Sequence, residues 1–379
     1  MSAPREAVDR AWAEVDRRRD VLLEVSHRIF EHPELCFEER HAHDLLCDVL
    51  EREGLAPRRR AFGLDTAFAA EAGEGGPTVA VLCEYDALPD IGHACGHNVI
   101  AAAGLGAGLA AAALADELGG TVRILGTPAE EGGGGKVFML RAGAFEGVDA
   151  AVMVHPADHD LPTMQTLAIR RVRATYHGRA SHAAAAPHLG RNALDAAVLG
   201  YVNVAALRQH ILPEERVHGV FTDGGGKPNI VPKRAEMEWY VRSPTSQGLD
   251  ALTERVRECL LAGAAAAGCT VELELLEPAY AELRDDEELL ESYRRHAAAL
   301  GRELQDPSVV GGVVGSTDMG NVSQVVPSIH PMIAVAPPGV SIHTPEFAEH
   351  ARGDAGDRAV IDGAKALVGT VLDRWCSGD

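Results

Sequence analysis

The stretch from Val79 to Asn98 reads VAVLCEYDALPDIGHACGHN. Its first residues, Val79 to Cys83, form an unbroken apolar run of the kind that fills a strand buried on both faces of a parallel sheet. The run delivers an acidic pair, Glu84 and Asp86, turns at Pro89, and reaches His93-Ala94-Cys95-Gly96-His97 where an Ala/Gly-rich helix begins. Carboxylate, thiol and imidazole side chains are therefore expected together just past the end of a strand. In open α/β sheets that crevice, outside the carboxyl ends of the strands, is where ligands bind.

On either side of this stretch the chain alternates. Strand patterns at Thr66–Glu71 and Pro77–Cys83, a helix from Val99 to Leu118 and a strand from Thr121 to Leu125 give the β-α-β rhythm of a largely parallel sheet. The small residues of the helix read as tight packing against that sheet. Next comes GTPAEEGGGGK, Gly126 to Lys136. As a phosphate loop it fails twice, since Glu130 stands where glycine is needed and Val137 where Ser or Thr is needed. The glycines read better as backbone turning closely around a site occupied by Glu130 and Glu131. The following strand, Ala150–Val154, ends on His155. Taken singly, His155 is a structural histidine, but its recurrence at the same sheet edge as Cys95/His97 and Glu130/Glu131 makes it a ligand candidate.

Upstream, residues 5–54 show helical periodicity broken at His32-Pro33, which predicts two helices; His27, His32 and His41 lack metal spacing and are read as surface or helix-end residues. Downstream the order changes to β-α-β-β-α-β, with strands at 167–177, 216–223, 235–243 and 270–276 and helices at 192–211 and 249–267. That order is the split βαβ unit, an antiparallel four-stranded sheet with two helices on one face. The fold class expected is α/β: a mostly parallel-sheet catalytic domain, 1–166 and 280–379, with an inserted ferredoxin-like α+β domain, 167–279, as lid and dimerisation unit. A helix at 287–300, a Gly-rich loop from Gly311 to Asp318, a strand at 329–335 and a helix at 359–375 complete the first domain.

The 379 residues suffice for two such domains. There is no uncharged apolar run of about twenty residues and no basic-then-apolar N-terminus. A cytoplasmic protein without a membrane span is expected. A net charge of −21 with no basic stripe argues against nucleic acid and anionic membrane as partners. The seven cysteines, odd in number and scattered, do not form a disulfide framework, and Cys95 alone lies among other ligand types.

A divalent metal pair needs thiolate, imidazole and carboxylate ligands converging from several strand ends, with one carboxylate left to activate water. Cys95, His97, Glu131, His155 and His343 could hold two metals, Glu130 could be the general base, and Asp86 is placed to orient a ligand histidine. The mixed donor set suits Zn²⁺, with Mn²⁺ or Co²⁺ as alternatives. Two competing readings are a thiol amidase with Cys95 as nucleophile and His97 or His93 as its base, which leaves Glu131, His155 and His343 without a role, and a non-catalytic metal-binding relative.

These residues lie in motifs that run nearly the length of the chain: EYDALP at 84–89, GHACGHN at 92–98, TPAEE at 127–131, SHA at 181–183 with NAL at 192–194, PNIVP at 228–232, and STDMGNV at 316–322 through His330-Pro331. In these the chain resembles the metal-dependent aminoacylases, carboxypeptidases and dipeptidases. The resemblance implies the ligand set above, Glu130 as proton shuttle, and a homodimer in which His182 contacts substrate bound to the neighbouring chain. Many relatives have Asp at the place of Asn98 and Asp-Met-Asp at Glu84-Tyr85-Asp86. The variants here are similar to the p-aminobenzoyl-glutamate hydrolase and β-alanyl-lysine dipeptidase subgroup, which favours a dipeptide-like or aminoacyl-amide substrate. Asn229 and Arg242 are candidates to receive a substrate carboxylate, although Arg242 reads equally well as a surface strand residue.

Overall fold

Three amphipathic helices, α1 (Arg5–Arg17), α2 (Arg19–Glu31) and α3 (Arg40–Arg52), open the chain in the computed structural model, which describes residues 2–310 and 314–377. The first two glycines of the expected loop at 311–318 lie outside the described residues. Only two helices were expected before Gly54, because the break at Arg18 carries neither proline nor glycine. At the break the buried Arg18 guanidinium bonds Glu14 one turn back and Glu53 at the end of α3.

Two compact units divide the chain, one made of Met1–Gln165 with Leu283–Asp379, the other of Thr166–Glu282. The first is built on a six-stranded sheet. Its strands in chain order are β1 (Arg58–Arg59), β2 (Phe68–Ala72), β3 (Thr78–Glu84), β4 (Thr121–Thr127), β5 (Ala150–Val152) and Ser328–Ile329. In space they run β1-β2-β4-β3-β5 and then Ser328–Ile329. The pairings of β4, β3, β5 and Ser328–Ile329 are parallel, while β1 and β2 add antiparallel edge pairs. Glu84 stands opposite Thr127 and Ile329 opposite Val152. The chain therefore leaves four adjacent parallel strands at one edge, toward Asp86, Pro128, His155 and His330.

Helix α4 (His97–Ala112) starts at that edge and is buried except at Ala112. A Cβ at Gly104 would lie 2.5 Å from the Leu82 carbonyl oxygen, at Gly106 2.7 Å from Leu22, and at Gly108 2.5 Å from Ile124. Ala and Gly thus let the helix sit directly against β3, β4 and α2. The sequence reading ran this helix to Leu118, whereas the chain breaks at Ala113–Leu114 and resumes as a short turn, Ala115–Leu118. The long helix Asp354–Cys376 packs against α4, with Ala364 touching the Gly106 position. The strand expected over 329–335 is interrupted at His330-Pro331, and its second part, Met332–Ala334, pairs with His155–Ala157.

The second unit, Thr166–Glu282, has a four-stranded antiparallel sheet in the order Thr270–Tyr280, Ala168–His177, Arg234–Ser243, Arg216–Asp223. Strict alternation along Arg234–Ser243 buries Ala235, Met237, Trp239 and Val241 beneath the helices Ala193–Leu207 and Ser246–Ala266. Val198, Leu199 and Val202 on the first helix remain exposed, as do Val220 and Phe221 on the edge strand.

Candidate metal centre

The edge where the parallel strands end gathers all five expected ligands within the first unit. Gly96, at φ +78°, turns the chain into α4, and a Cβ there would meet Pro156 at 2.7 Å; glycine is required on both counts. The turn places Cys95 and His97 side by side. Cys95 Sγ lies 3.4 Å from His155 Nε2, and His343 Nε2 lies 3.3 Å from Glu131 Oε1. The His343 N–H bonds the Ala94 carbonyl at 2.8 Å, fixing that loop against the start of α4. Three ligand groups result: Cys95/His97/His155, Cys95/Glu131/His343 and His97/Glu130/Glu131, each with donor atoms within 4.8 Å of one another.

Asp86 sits beneath them. One carboxylate oxygen is 3.1 Å from His97 Nδ1 and the other accepts the Glu131 N–H at 2.9 Å. The first contact leaves His97 Nε2 facing the cluster, as a metal-binding imidazole requires. Burial pushes the Asp86 carboxyl up, but the His97 contact outweighs it and holds the pKa at about 2. The adjacent pair Glu130 and Glu131 is driven apart. Burial, with the charges of Glu131 and Glu84, raises Glu130 well above its ordinary value, while against burial the contacts to His343 and His97 hold Glu131 low. Burial lowers His155 to about 4 and raises the Cys95 thiol. A nucleophilic cysteine needs the opposite, a thiol whose surroundings lower its pKa.

The donors fit cations. His97 Nε2 and Glu131 Oε1 are buried without a well-formed hydrogen bond, and Glu84 Oε2 lacks one as well. Glu84, Asp86, Glu130, Glu131 and Asp318 are carboxylates in or beside this edge, and all but the slightly exposed Glu131 are buried. Facing them is the buried ammonium of Lys136, which contacts Glu84 and lies 2.7 Å from Asp318 Oδ1. Such a concentration of carboxylate is costly unless positive charge enters it. We find the site geometry matched to divalent ions on the three groups above.

The Lys136–Glu84–Asp318 contact went unread in the sequence, although Lys136 ends the glycine run and Asp318 stands in a recognised motif. His330, quoted only as the end of a motif, was given no role: it is fully buried, 5.3 Å from the His155 ring, with neither nitrogen hydrogen-bonded among the described residues. Also unread was Glu39, which accepts the Ala129 N–H at 2.9 Å and which burial pushes up to about 7.

The other expected residues belong to the second unit. His182 is exposed, and its Nδ1 accepts the N–H groups of Ala184 and Ala185 at 3.3 and 3.1 Å, so the ring proton resides on Nε2. The Ala183 N–H bonds the Asn229 carbonyl at 3.0 Å, bringing Asn229 beside it. Arg242 lies on the central strand Arg234–Ser243, opposite Ile169 and Arg216.

A mostly parallel sheet whose strand ends converge sulfur, nitrogen and oxygen ligands around a carboxylate pair defines a metal-dependent hydrolase. The chain belongs to peptidase family M20/M25/M40, whose profile matches residues 80–373. It is 42% identical over 379 residues to the Xaa-Arg dipeptidase of Mus musculus, covering 96% of this chain and 88% of that protein. It is 37% identical over 280 residues to one of the p-aminobenzoyl-glutamate hydrolase subunits of Escherichia coli (strain K12), covering 68% of this chain and 58% of that one. Among solved structures, the YXEP protein of Bacillus subtilis, described as a dinuclear metal binding peptidase from the M20 family, superposes with a TM-score of 0.72 at 23% identity, over 94% of this chain and 98% of that one. As a member of that family the protein is a metal-dependent hydrolase of amide bonds. No helix among the described residues is long and apolar enough to cross a membrane.

Proposed function

We propose that this chain is a dipeptidase whose site holds two divalent ions on Cys95, His97, Glu131, His155 and His343, with Glu130 as the proton shuttle. The observation that carries the reading is the convergence of these five donors, from four separate chain segments, around the Glu130–Glu131 pair. Zn²⁺ suits the mixed donors, with Mn²⁺ or Co²⁺ as alternatives. When bound, the ions supply Lewis-acid polarisation of the scissile carbonyl and a lowered pKa for water. Glu130 takes the proton of the attacking water and delivers it to the leaving amine, a role open to a carboxyl whose pKa burial has raised. Asp86 keeps His97 in its ligand orientation. The name of the 42% identical relative supports a dipeptide ending in a basic residue as substrate. A cytoplasmic location is part of this proposal, supported by the scattered, unpaired cysteines.

The second unit acts as lid and dimerisation domain in this proposal. Its edge strand Arg216–Asp223 and the exposed Val198, Leu199, Val202, Val220 and Phe221 offer an apolar face and an unpaired ladder edge to a second copy. His182, with its Nε2–H outward, donates to the developing oxyanion of substrate bound by the partner chain. Asn229 and Arg242 receive the substrate carboxylate.

The test is Glu130→Gln. It should keep two metal ions per chain and lose turnover of a dipeptide ending in arginine by roughly 10²–10⁴-fold, the usual loss with a general base. Retained turnover would refute the shuttle, and fewer than two ions in reconstituted wild type would refute the metal pair.

A further inference from the structure

Glu130 is held by the main chain on both sides of it. Ala129, the residue before, has φ +62°, a left-handed conformation that a residue with a Cβ adopts only under constraint from its surroundings. Two buried carboxylates supply that constraint. Glu39 Oε1 accepts the Ala129 N–H at 2.9 Å, and Asp86 Oδ2 accepts the Glu131 N–H at 2.9 Å. The N–H groups of the residues before and after Glu130 are thus gripped from two segments distant in sequence. Glu39 is itself fixed: Oε1 also accepts the Phe37 N–H at 2.9 Å, Oε2 accepts the Thr66 hydroxyl at 2.8 Å, and the side chain is fully buried. Beside it, Cys36 Sγ donates to the Glu131 carbonyl at 3.2 Å, so the 36–39 segment contacts the loop twice.

We infer that Glu39 is a positioning residue for Glu130. It acts by locking the strained Ala129 peptide so that the Glu130 carboxyl is presented in one place. This rests on the assignment of Glu130 as proton shuttle. A misplacement of about 1 Å in a group that must meet a reacting atom costs on the order of 10²-fold in rate. Asp86 also holds His97, so changing it mixes ligand orientation with loop position. Glu39 contacts none of the five ligands' side chains in the bonds given above, and isolates the loop.

The experiment uses the metal-loaded full chain with alanylarginine as substrate. Glu39→Ala should lower kcat roughly 10–100-fold with KM and metal content little changed. Glu39→Gln, whose Oε1 can still accept both N–H groups while its amide donates to Thr66, should keep most of the wild-type rate. Amide hydrogen exchange across residues 127–136 should quicken in Glu39→Ala and stay as wild type in Glu39→Gln. In a Glu130→Gln background the same Glu39→Ala change should cost less than about twofold, because two residues acting through one step are not additive. An equal loss in both backgrounds, or unaltered exchange across 127–136, overturns the inference. Should Glu39→Ala fail to fold, Glu39→Asp, too short to reach Ala129, takes its place with the same expectations. If Glu130→Gln instead keeps full turnover, the shuttle assignment falls, while the exchange result still decides whether Glu39 holds the segment.

Discussion

A thiol that holds a metal and a thiol that merely fills a helix start behave differently toward an alkylating reagent. Cys95 is 5% exposed and burial raises its thiol pKa, whereas a bound cation would favour the thiolate. We expect Cys95→Ser to weaken metal retention during dialysis against a chelator. We also expect metal to slow iodoacetamide labelling of the Cys95 peptide, read by mass spectrometry; equal labelling of metal-free and metal-loaded protein would exclude Cys95 as a ligand. The ligand types were legible because they recur at strand ends, a pattern local to each motif. Glu39, Lys136 and His330 were not, because what matters about them is a partner far away in sequence: Ala129 for Glu39, Asp318 for Lys136, His155 for His330. A single carboxylate at the start of a helix carries no mark of the loop it will hold.

Elements show the same division. The alternation of strand and helix was readable from periodicity, and the small-residue run of α4 announced close packing before any contact was known. Gly104 makes that packing testable. A Cβ there would lie 2.5 Å from the backbone of Leu82 and 2.9 Å from Cys83 Sγ, neither of which can move without shifting β3. Gly104→Val should lower the urea midpoint by an amount corresponding to about 1–3 kcal/mol; an unchanged midpoint would mean that α4 has room to retreat. The break at Arg18 and the interruption at His330-Pro331 were not readable; the first carries a bond to the distant Glu53, and the second precedes the pairing of Met332–Ala334 with His155–Ala157. A further tie between elements is Asp373, which bonds Ser292, Arg295, His296 and the Ala3 N–H. Burial raises its carboxyl, but these partners, His296 first, hold the pKa at about 2, below the ordinary 3.8. A pKa depressed by folding stabilises the fold above 3.8 and ceases to do so as pH falls through about 2. Asp373→Asn should therefore cost roughly 2–3 kcal/mol at pH 7 and pH 5, and about half that at pH 3. A cost that is the same at pH 7 and pH 3 would assign the effect to packing instead.

At the scale of the whole molecule, the proposed exchange of His182 between chains gives a complementation test. His182→Ala and Glu130→Ala should each be nearly inactive alone. Refolded together in equal amounts, with random pairing, they should recover roughly a quarter of wild-type activity, since half the dimers would be mixed and each would hold one complete site. No recovery in a mixture shown to exchange subunits would confine His182 to its own chain. The change in strand grammar near residue 167 lies beside the boundary of the second unit at Thr166, whereas the role proposed for that unit rests on a partner that one chain's periodicity does not record. A last consequence concerns synthesis on the ribosome. Helix α4 is apolar almost all round, and a large part of its cover is the helix Asp354–Cys376, translated long after it; Ser328–Ile329, which completes the sheet beside β5, is also late. Until those segments emerge, the nascent chain carries an uncovered Ala/Gly/Leu-rich helix and an open sheet edge, features that invite chaperone capture or misassociation. His343 also follows the other four proposed donors in the chain, so of the three groups the one it shares with Cys95 and Glu131 would be the last to be completed.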